Sequence, residues 1–369
     1  MNIAICLYKY FPYGGLQRDF YRIADVLVRR GHYVRVYTRE WNSDERPSGL
    51  DIVVVPTHAF TNHAKNVQYY KWVQNHLSKH PVDRVVGFNK MPNLDVYYGA
   101  DVCFAEKNQN KSWIYKLTGR YKHYLEFEKC TVGAGIKNKL MIITPNQKKE
   151  FQKHYGTEDD RFYLLPPGIS LDRKYSNFSK DSREKFRLRH KLSEDDFLLL
   201  QIGSDFKRKG VDRSICALAS LPEFVRKRTF LYVVGQDSEK QFVKLAKKLK
   251  VDSNVCFLGG RDDIPDFIAG SDLLLHPARS ENTGTVILEA LAGGLPEIVT
   301  DVCGYSTFVD SADTGLVLTS PYDQTQFNAY LLKSLDRSVL DRWRKNAQIY
   351  ADTRDLYSLP ERAADIILE

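Results

Sequence analysis

The sequence predicts an α/β protein made of two doubly wound parallel sheets. Three observations carry that expectation. Short apolar runs of strand length recur along the 369 residues, most of them separated by helical stretches. Residues 165–170, LPPGIS, interrupt the alternation with two prolines and a glycine, and a fresh αβ series starts beyond them. The length also exceeds the ~250–300 residues at which single cores tend to split. The expected boundary between the two sheets lies at residues 166 and 167.

The first series opens with NIAICLY as a strand, followed by the loop KYFPYGGLQRDF with its glycine pair Gly14 and Gly15. A helix is expected over 17–30, with Phe20, Ile23, Ala24, Leu27 and Val28 on one buried face, and Gly31 ends it. HYVRVYT is the next strand, which completes a βαβ unit. The glycine pair would let a phosphate approach the backbone near a helix start. It lacks the G-x-G-x-x-G spacing of a dinucleotide fingerprint, and a plain tight turn is the simpler explanation. Asp19 is expected in the first helical turn, where an acid complements the helix dipole. DIVVVP, RVVGFN, LDVYYGAD and LMIIT continue as strands, with a helix over 64–78.

Residues 103–133 have a different composition. Trp113, Tyr115, Tyr121, Tyr124 and Phe127 interleave with Lys107, Lys111, Lys116, Arg120, Lys122 and Lys129. Between Lys107 and Lys129 six Lys/Arg stand against two Glu, half of the chain's net charge of +8. Such a basic, aromatic, partly helical element suits an anionic membrane surface. A solvated helix hairpin with its aromatics in the core competes with that reading. Single-stranded nucleic acid suits the composition too, but it ranks last and is not an expected partner.

The second series supplies six strand candidates: FLLLQIG, TFLYVVG, NVCFLG, DLLLHP, EIVT and TGLVLT. Two stretches between them carry chemistry. In 203–215, GSDFKRKGVDRSI, a strand ends at Gly203 and a basic loop, with Arg208 and Lys209, precedes a helix. Cations at the carboxyl edge of a parallel sheet can neutralise a diphosphate, and arginine can clamp it with two parallel hydrogen bonds. By composition alone a solvated basic turn explains the loop as well.

In 279–296, RSENTGTVILEALAGGLP, Glu281 and Glu289 stand eight residues apart around a loop that turns into an apolar helix. Asn282-Thr283-Gly284 are expected to open that helix, and the free N–H groups near Gly284 and Thr285 suit a phosphate or a sugar hydroxyl. Counted as helix, the two acids are roughly 12 Å apart at 1.5 Å per residue. A ligand meeting both is long and rich in hydroxyls, as a nucleotide-sugar is. A solvated loop acid and a surface helix residue are the plainer alternative.

Hydrophobic content of 43% and charged content of 27% are ordinary for a soluble enzyme. No apolar run approaches the ~18 residues of a membrane span. The six cysteines are scattered without a C-x-x-C pair, so free thiols, a reducing compartment and a cytoplasmic location are expected. MNIAICLY carries no basic leader or cleavage site.

Taken together, LYKYFPYGGLQRDF, NHAKNVQYYKWVQNHL, DRVVGFNKMPNLDVYY, ADVCFAEK, LPPGISLDRKYS, GSDFKRKGVDRSI, VVGQD and YADTRDLYSLPERAADII resemble the lipopolysaccharide core glucosyltransferase I family of Gram-negative bacteria nearly end to end. These are retaining glycosyltransferases of family 4, and the E-x7-E pair is their signature. The resemblance implies the GT-B fold: two Rossmann-like doubly wound domains facing a cleft, residues 1–166 and 167–350, with 351–369 crossing back to the first. It implies glucose transfer from UDP-glucose to inner-core heptose on a lipid A-anchored acceptor, at the cytoplasmic face of the inner membrane. Another UDP-hexose, a UDP-N-acetylhexosamine, or a nucleotide-sugar epimerase activity are the alternatives.

By motif, Glu281 would hold donor-sugar hydroxyls and Glu289 the ribose hydroxyls. Arg208 and Lys209 would neutralise the diphosphate, helped by backbone near Gly15, Gly203, Gly284 and Thr285. Arg173 is a further phosphate candidate, and Asp19 would face acceptor or donor near the cleft mouth. Asp101 is a weaker candidate for sugar contact, with a loop cap as its plainer role. Charge stabilisation by these cations implies no metal and no other cofactor, and the D-x-D metal motif of the other transferase fold is not used. Lys107, Lys111, Trp113, Tyr115, Lys116, Arg120 and Lys122 would meet the membrane. Asn282-Thr283 and Glu297 depart from the family's pattern, beside the expected donor-sugar pocket.

Overall fold

The computed structural model describes residues 1–12, 14–43, 47–178 and 181–369, in two compact units. Unit one is Met1–Gly168 with Ser358–Glu369, and unit two is Ile169–Tyr357. The first division falls inside LPPGIS. The second comes later than residue 351, because the helix Arg337–Thr353 runs unbroken within unit two.

In chain order the strands of unit one are β1 (Asn2–Cys6), β2 (Lys9–Tyr10), β3 (Tyr33–Thr38), β4 (Glu40–Trp41), β5 (Leu50–Val54), β6 (Arg84–Gly87), β7 (Val96–Gly99), β8 (Lys139–Ile142) and β9 (Phe162–Leu164). Seven form one parallel sheet, ordered β5-β3-β1-β6-β7-β8-β9, while β2 and β4 pair with each other. Ile3, Ala4, Ile5 and Cys6 of the central β1 are buried on both faces, as strands covered by helices on each side must be. The order reverses between β1 and β6, which makes that point the switch of the sheet.

The helix Gly15–Arg29 starts two residues before the expected position, so Asp19 lies beyond its first turn. Its buried face is Phe20, Ile23, Ala24, Val26 and Leu27; Val26 takes the place expected for Val28, which is only half-buried. Against it packs the terminal helix Leu359–Leu368, which buries Leu359, Ala363, Ala364, Ile366 and Ile367.

The basic segment forms three short helices, Phe104–Asn108, Trp113–Lys116 and Gly119–Val132. Ser112 and Thr118 cap the second and third by accepting from Tyr115 N and Tyr121 N. The aromatics of the segment differ in burial. Phe127 is core, Tyr115, Tyr121 and Tyr124 are half-buried, and Trp113 is 72% exposed, with Ile114 and Leu117 exposed beside it. Glu128, counted among the segment's charges, is fully buried; it pairs with Lys90 and accepts from Phe104 N, Ala105 N and Tyr155 Oη.

Unit two holds β10 (Phe197–Ile202), β11 (Thr229–Val234), β12 (Val255–Phe257), β13 (Leu273–His276), β14 (Glu297–Thr300) and β15 (Gly315–Leu318). All six expected strands are present, in one parallel sheet ordered β12-β11-β10-β13-β14-β15. Its switch point lies between β10 and β13. One face is covered around Ile287, Leu288 and Leu291, the other around Phe206, Ile215 and Phe327. Among the described residues, no helix is long and apolar enough to cross a membrane, and no group of three or more His, Cys, Asp or Glu is arranged to hold a metal ion.

Candidate active site

Two loops meet at the switch point of the second sheet. The first leaves β10 at Gly203, whose φ of +134° lies in a region L side chains rarely adopt. It returns at Gly210, with φ +76°, where an added Cβ would stand 2.1 Å from the Pro277 carbonyl oxygen. That close approach fixes the basic loop against the second loop, which leaves β13 at His276. Arg279 locks them together: its guanidinium donates to both carboxylate oxygens of Asp212 at 2.8 Å and to Lys207 O at 2.7 Å. The backbone adds Arg279 N to Arg208 O at 2.7 Å.

Inside this clamp, residues assigned to different parts of a ligand converge. Glu281 Oε2 accepts from Arg208 Nη1 at 2.9 Å and pairs with the Lys209 ammonium. His276 Nε2 faces the same oxygen at 3.8 Å. Arg208 also donates through Nε to Asp205 at 2.9 Å and through Nη1 to Ser280 O. Burial alone would raise the Glu281 pKa; the facing His276 and the Lys209 ammonium outweigh it and hold the carboxyl well below the usual range. Burial pushes the His276 ring down, so it faces Glu281 neutral.

The cluster keeps groups for a ligand. No described residue hydrogen-bonds Glu281 Oε1 or Arg208 Nη2, and Lys209 Nζ has a single carboxylate partner among its three donors. The constellation presents one anionic acceptor and several cationic donors at the edge where such sheets hold ligands.

Beyond Glu281 the loop stays irregular longer than expected. Asn282 O and Thr283 O accept from Gly304 N and Tyr305 N, each at 2.9 Å, and the helix begins only at Thr285. Gly284 precedes it with φ +80°. The seven residues between the acids are therefore not a continuous helical rise. Glu289 is buried within Thr285–Ala292, not on a surface face, and the turn Leu171–Arg173 packs against that helix. Arg173 lies 3.5 Å from Asp172, and its Nε and Nη1 are buried without a hydrogen-bond partner among the described residues.

Glu297 requires a correction. It opens β14, paired with Leu274, whereas the ligand edge lies at the other end of these strands, beyond His276 and Thr300. The side chain is fully buried in the sheet rather than beside a sugar pocket.

In unit one, Gly14 caps the helix, and a Cβ there would fall 1.8 Å from Gln17 Oε1; Gly15 has open space around it. Tyr13, in the same loop, lies outside the described residues. Asp19 accepts from Tyr98 Oη and Arg22 Nη2, each at 2.6 Å. Burial raises its pKa against the opposing pull of Arg22 and Tyr98. Lys107, Lys111, Trp113, Arg120 and Lys122 are exposed, and Tyr115 and Lys116 half-buried. Sequence reading missed His276, Asp205, Asp212 and Arg279. The last two carry charge beside named motif residues, but nothing in their spacing announces that they pair.

Comparison with known proteins places the chain in a family. Residues 182–350 match the family model described as glycosyl transferases group 1. The chain is 56% identical to the lipopolysaccharide glucosyltransferase WaaG of Escherichia coli (strain K12) over 369 residues, covering 100% of this chain and 98% of that one. It is also 30% identical over 175 residues to the N-acetyl-alpha-D-glucosaminyl L-malate synthase of Bacillus anthracis, across 47% and 41% of the two chains. The crystal structure of WaaG superposes with a TM-score of 0.94 at 55% identity, covering 99% of each chain. Anabaena HepE in complex with UDP-glucose shares the fold at 18% identity, with a TM-score of 0.75 over 99% of this chain and 98% of that one.

Proposed function

Because the chain belongs to the lipopolysaccharide glucosyltransferase family of the group 1 glycosyl transferases, we propose that it moves glucose from UDP-glucose to the inner-core heptose of a lipid A-anchored acceptor. In this reading it works at the cytoplasmic face of the inner membrane and retains the donor's anomeric configuration. The observation that carries it is the Glu281 cluster. One carboxylate oxygen is held by Arg208 and Lys209, while the other is left for a sugar hydroxyl.

Unit two then takes the donor. Arg208 Nη2 and the remaining Lys209 donors meet the diphosphate, with the N–H groups after Gly284 helping. Glu289 takes the ribose, and Arg173 is a further phosphate contact. As the bond to glucose breaks, negative charge grows on the departing phosphate, and preorganised cations stabilise it most at that moment. No divalent cation is needed for that role. The acceptor hydroxyl attacks from the face the phosphate leaves, and a phosphate oxygen takes its proton. This route needs no carboxylate nucleophile. Gly15 and Asp19 belong to the acceptor-side unit. The exposed Trp113, Ile114 and Leu117, flanked by Lys111, Lys116 and Lys122, support a membrane-facing surface.

UDP release from a panel of UDP-sugars, with and without heptosylated lipid acceptor, tests the donor, the acceptor and the reaction type together. Glucose is the expected donor, with acceptor-dependent release. A donor isomerised without acceptor would instead identify an epimerase. Glu281→Ala and Lys209→Ala are each expected to lower kcat/KM by at least ~100-fold, the scale of one preorganised charge-stabilising group. Circular dichroism confirms folding, and full activity in both variants would sink the site assignment.

A further inference from the structure

A cavity of about 460 Å3 opens at the carboxyl edge of the first unit's sheet, within the ~300–1,000 Å3 of small-ligand sites. Tyr8 and Lys9 reach it from beyond β1, Arg39 from beyond β3, and Asn89 and Lys90 from beyond β6. These strand ends flank the switch point. The basic segment supplies further lining through Lys107, Tyr115, Arg120 and Tyr124.

The lining is cationic beyond what its own partners neutralise. Among the described residues of the lining, five Lys or Arg stand against one carboxylate, Asp101. Lys9 is paired with Glu40 at 2.7 Å, and Lys90 with the buried Glu128. Arg39, Lys107 and Arg120 have no ion-pair partner among the described residues. Arg39 donates through Nη1 to the neutral Asn66 Oδ1 at 2.9 Å, and its guanidinium lies 4.8 Å from the Tyr8 ring centre. Its Nε is buried without a hydrogen-bond partner among the described residues. This half-buried guanidinium, held by an amide and an aromatic face, still has a buried donor unused, and such a donor costs free energy until it meets an acceptor. An anionic oxygen supplies what it lacks.

We propose that this cavity binds an acid group, carboxylate or phosphate, carried by the acceptor saccharide, with Arg39, Lys107 and Arg120 as its counter-charges. Tyr115 and Tyr124 offer the faces on which a sugar ring stacks, and Asp101 accepts from a hydroxyl. The inference rests on the transferase reading above and adds the acceptor's chemistry to it. It also divides the basic segment: Lys107, Tyr115 and Arg120 line the cavity, whereas Lys111, Trp113, Lys116 and Lys122 do not. The first set reads the saccharide and the second is left for an anionic membrane surface.

Calorimetry tests this with soluble acceptor oligosaccharide, intact or stripped of its acid groups by phosphatase and carboxyl reduction, alongside phosphatidylglycerol vesicles. Arg39→Gln and Arg120→Gln are each expected to weaken binding of the intact saccharide about tenfold to a hundredfold, the loss of one charge-assisted contact. The stripped saccharide should bind wild type as weakly as the intact one binds the variants. Lys111→Gln combined with Lys122→Gln should reduce vesicle binding and spare the saccharide. Arg120 is exposed, so its variant keeps the test open if Arg39→Gln misfolds.

Unchanged saccharide binding in both arginine variants overturns the proposal. So does a loss confined to vesicles, which would make a lipid headgroup the occupant. Wild type that binds acidic saccharide through these arginines but transfers no glucose sinks the transferase reading and leaves the cavity assignment standing. Equal transfer to intact and stripped saccharide does the reverse.

Discussion

Glu281 and Glu297 are acids of the same unit, and their surroundings drive them in opposite directions. Glu281 meets two cations and is held ionised, while Glu297 sits in the sheet with neither oxygen hydrogen-bonded and burial pushing its pKa well above the usual range. The folded protein therefore keeps a proton on Glu297 that the unfolded chain releases above its ordinary pKa of ~4.3. Ionisation favours the unfolded state, so this group makes stability fall as pH rises from the unfolded value towards the raised folded one. Glu297→Val removes the buried carboxyl that has no hydrogen-bond partner among the described residues. It is expected to stabilise unit two by about 1–3 kcal/mol near neutral pH and to flatten the decline. Thermal melts from about pH 5 to about pH 8 read both effects, and a lower Tm for the variant would show that the carboxyl has a partner. The residue type was legible in the sequence, but its depth was misjudged. Glu297 opens EIVT, and strand direction alone puts it at the end away from the ligand edge.

The elements themselves were largely legible, because strands buried on both faces leave continuous apolar runs that periodicity detects. Phe162–Leu164 escaped notice, being only three residues long, partly exposed and at the sheet's edge. Helix starts were displaced where glycine caps replaced side-chain signals, at Gly14 and at Gly284. Pairing between loops was not legible at all: Arg208 and Glu281 are 73 positions apart, and only the fold chooses that partner over others. The Arg279–Asp212 bidentate pair makes the clamp a testable element. Arg279→Ala also removes the hydrogen bond to Lys207 O, loosening the loop that carries Arg208 and Lys209 without touching either cation. UDP affinity by calorimetry is expected to drop about tenfold, since displacing a positioning loop costs on the order of one charge-assisted hydrogen bond. Unchanged affinity would mean that the Gly210–Pro277 approach and the Arg279 N to Arg208 O bond hold the loop without the side chain.

At the scale of the whole chain, the last helix belongs to the unit formed by the first residues, and two kinds of contact compete to explain why. Arg30 bonds Glu361 at 2.6 Å and Asp365 at 2.8 Å, but these side chains are 33%, 47% and 39% exposed. Pairs at such exposure contribute only ~0–1 kcal/mol each. Leu359, Ile366 and Ile367 are buried in the same cluster as Ile3, Val34 and Phe20, and fully burying one such aliphatic side chain contributes about 1.5–3 kcal/mol. Apolar contact therefore dominates. Ile367→Ala is expected to destabilise unit one by roughly 2–5 kcal/mol, and Arg30→Gln by under ~1 kcal/mol. A single global transition would blur two units that unfold separately, so hydrogen exchange read strand by strand is the suitable measurement. Protection should fall in β1 and β3 of the Ile367→Ala variant while β10 and β13 keep theirs. Greater loss in Arg30→Gln would make the ion pairs the true fastening, and equal loss in both sheets would mean that the two units unfold as one.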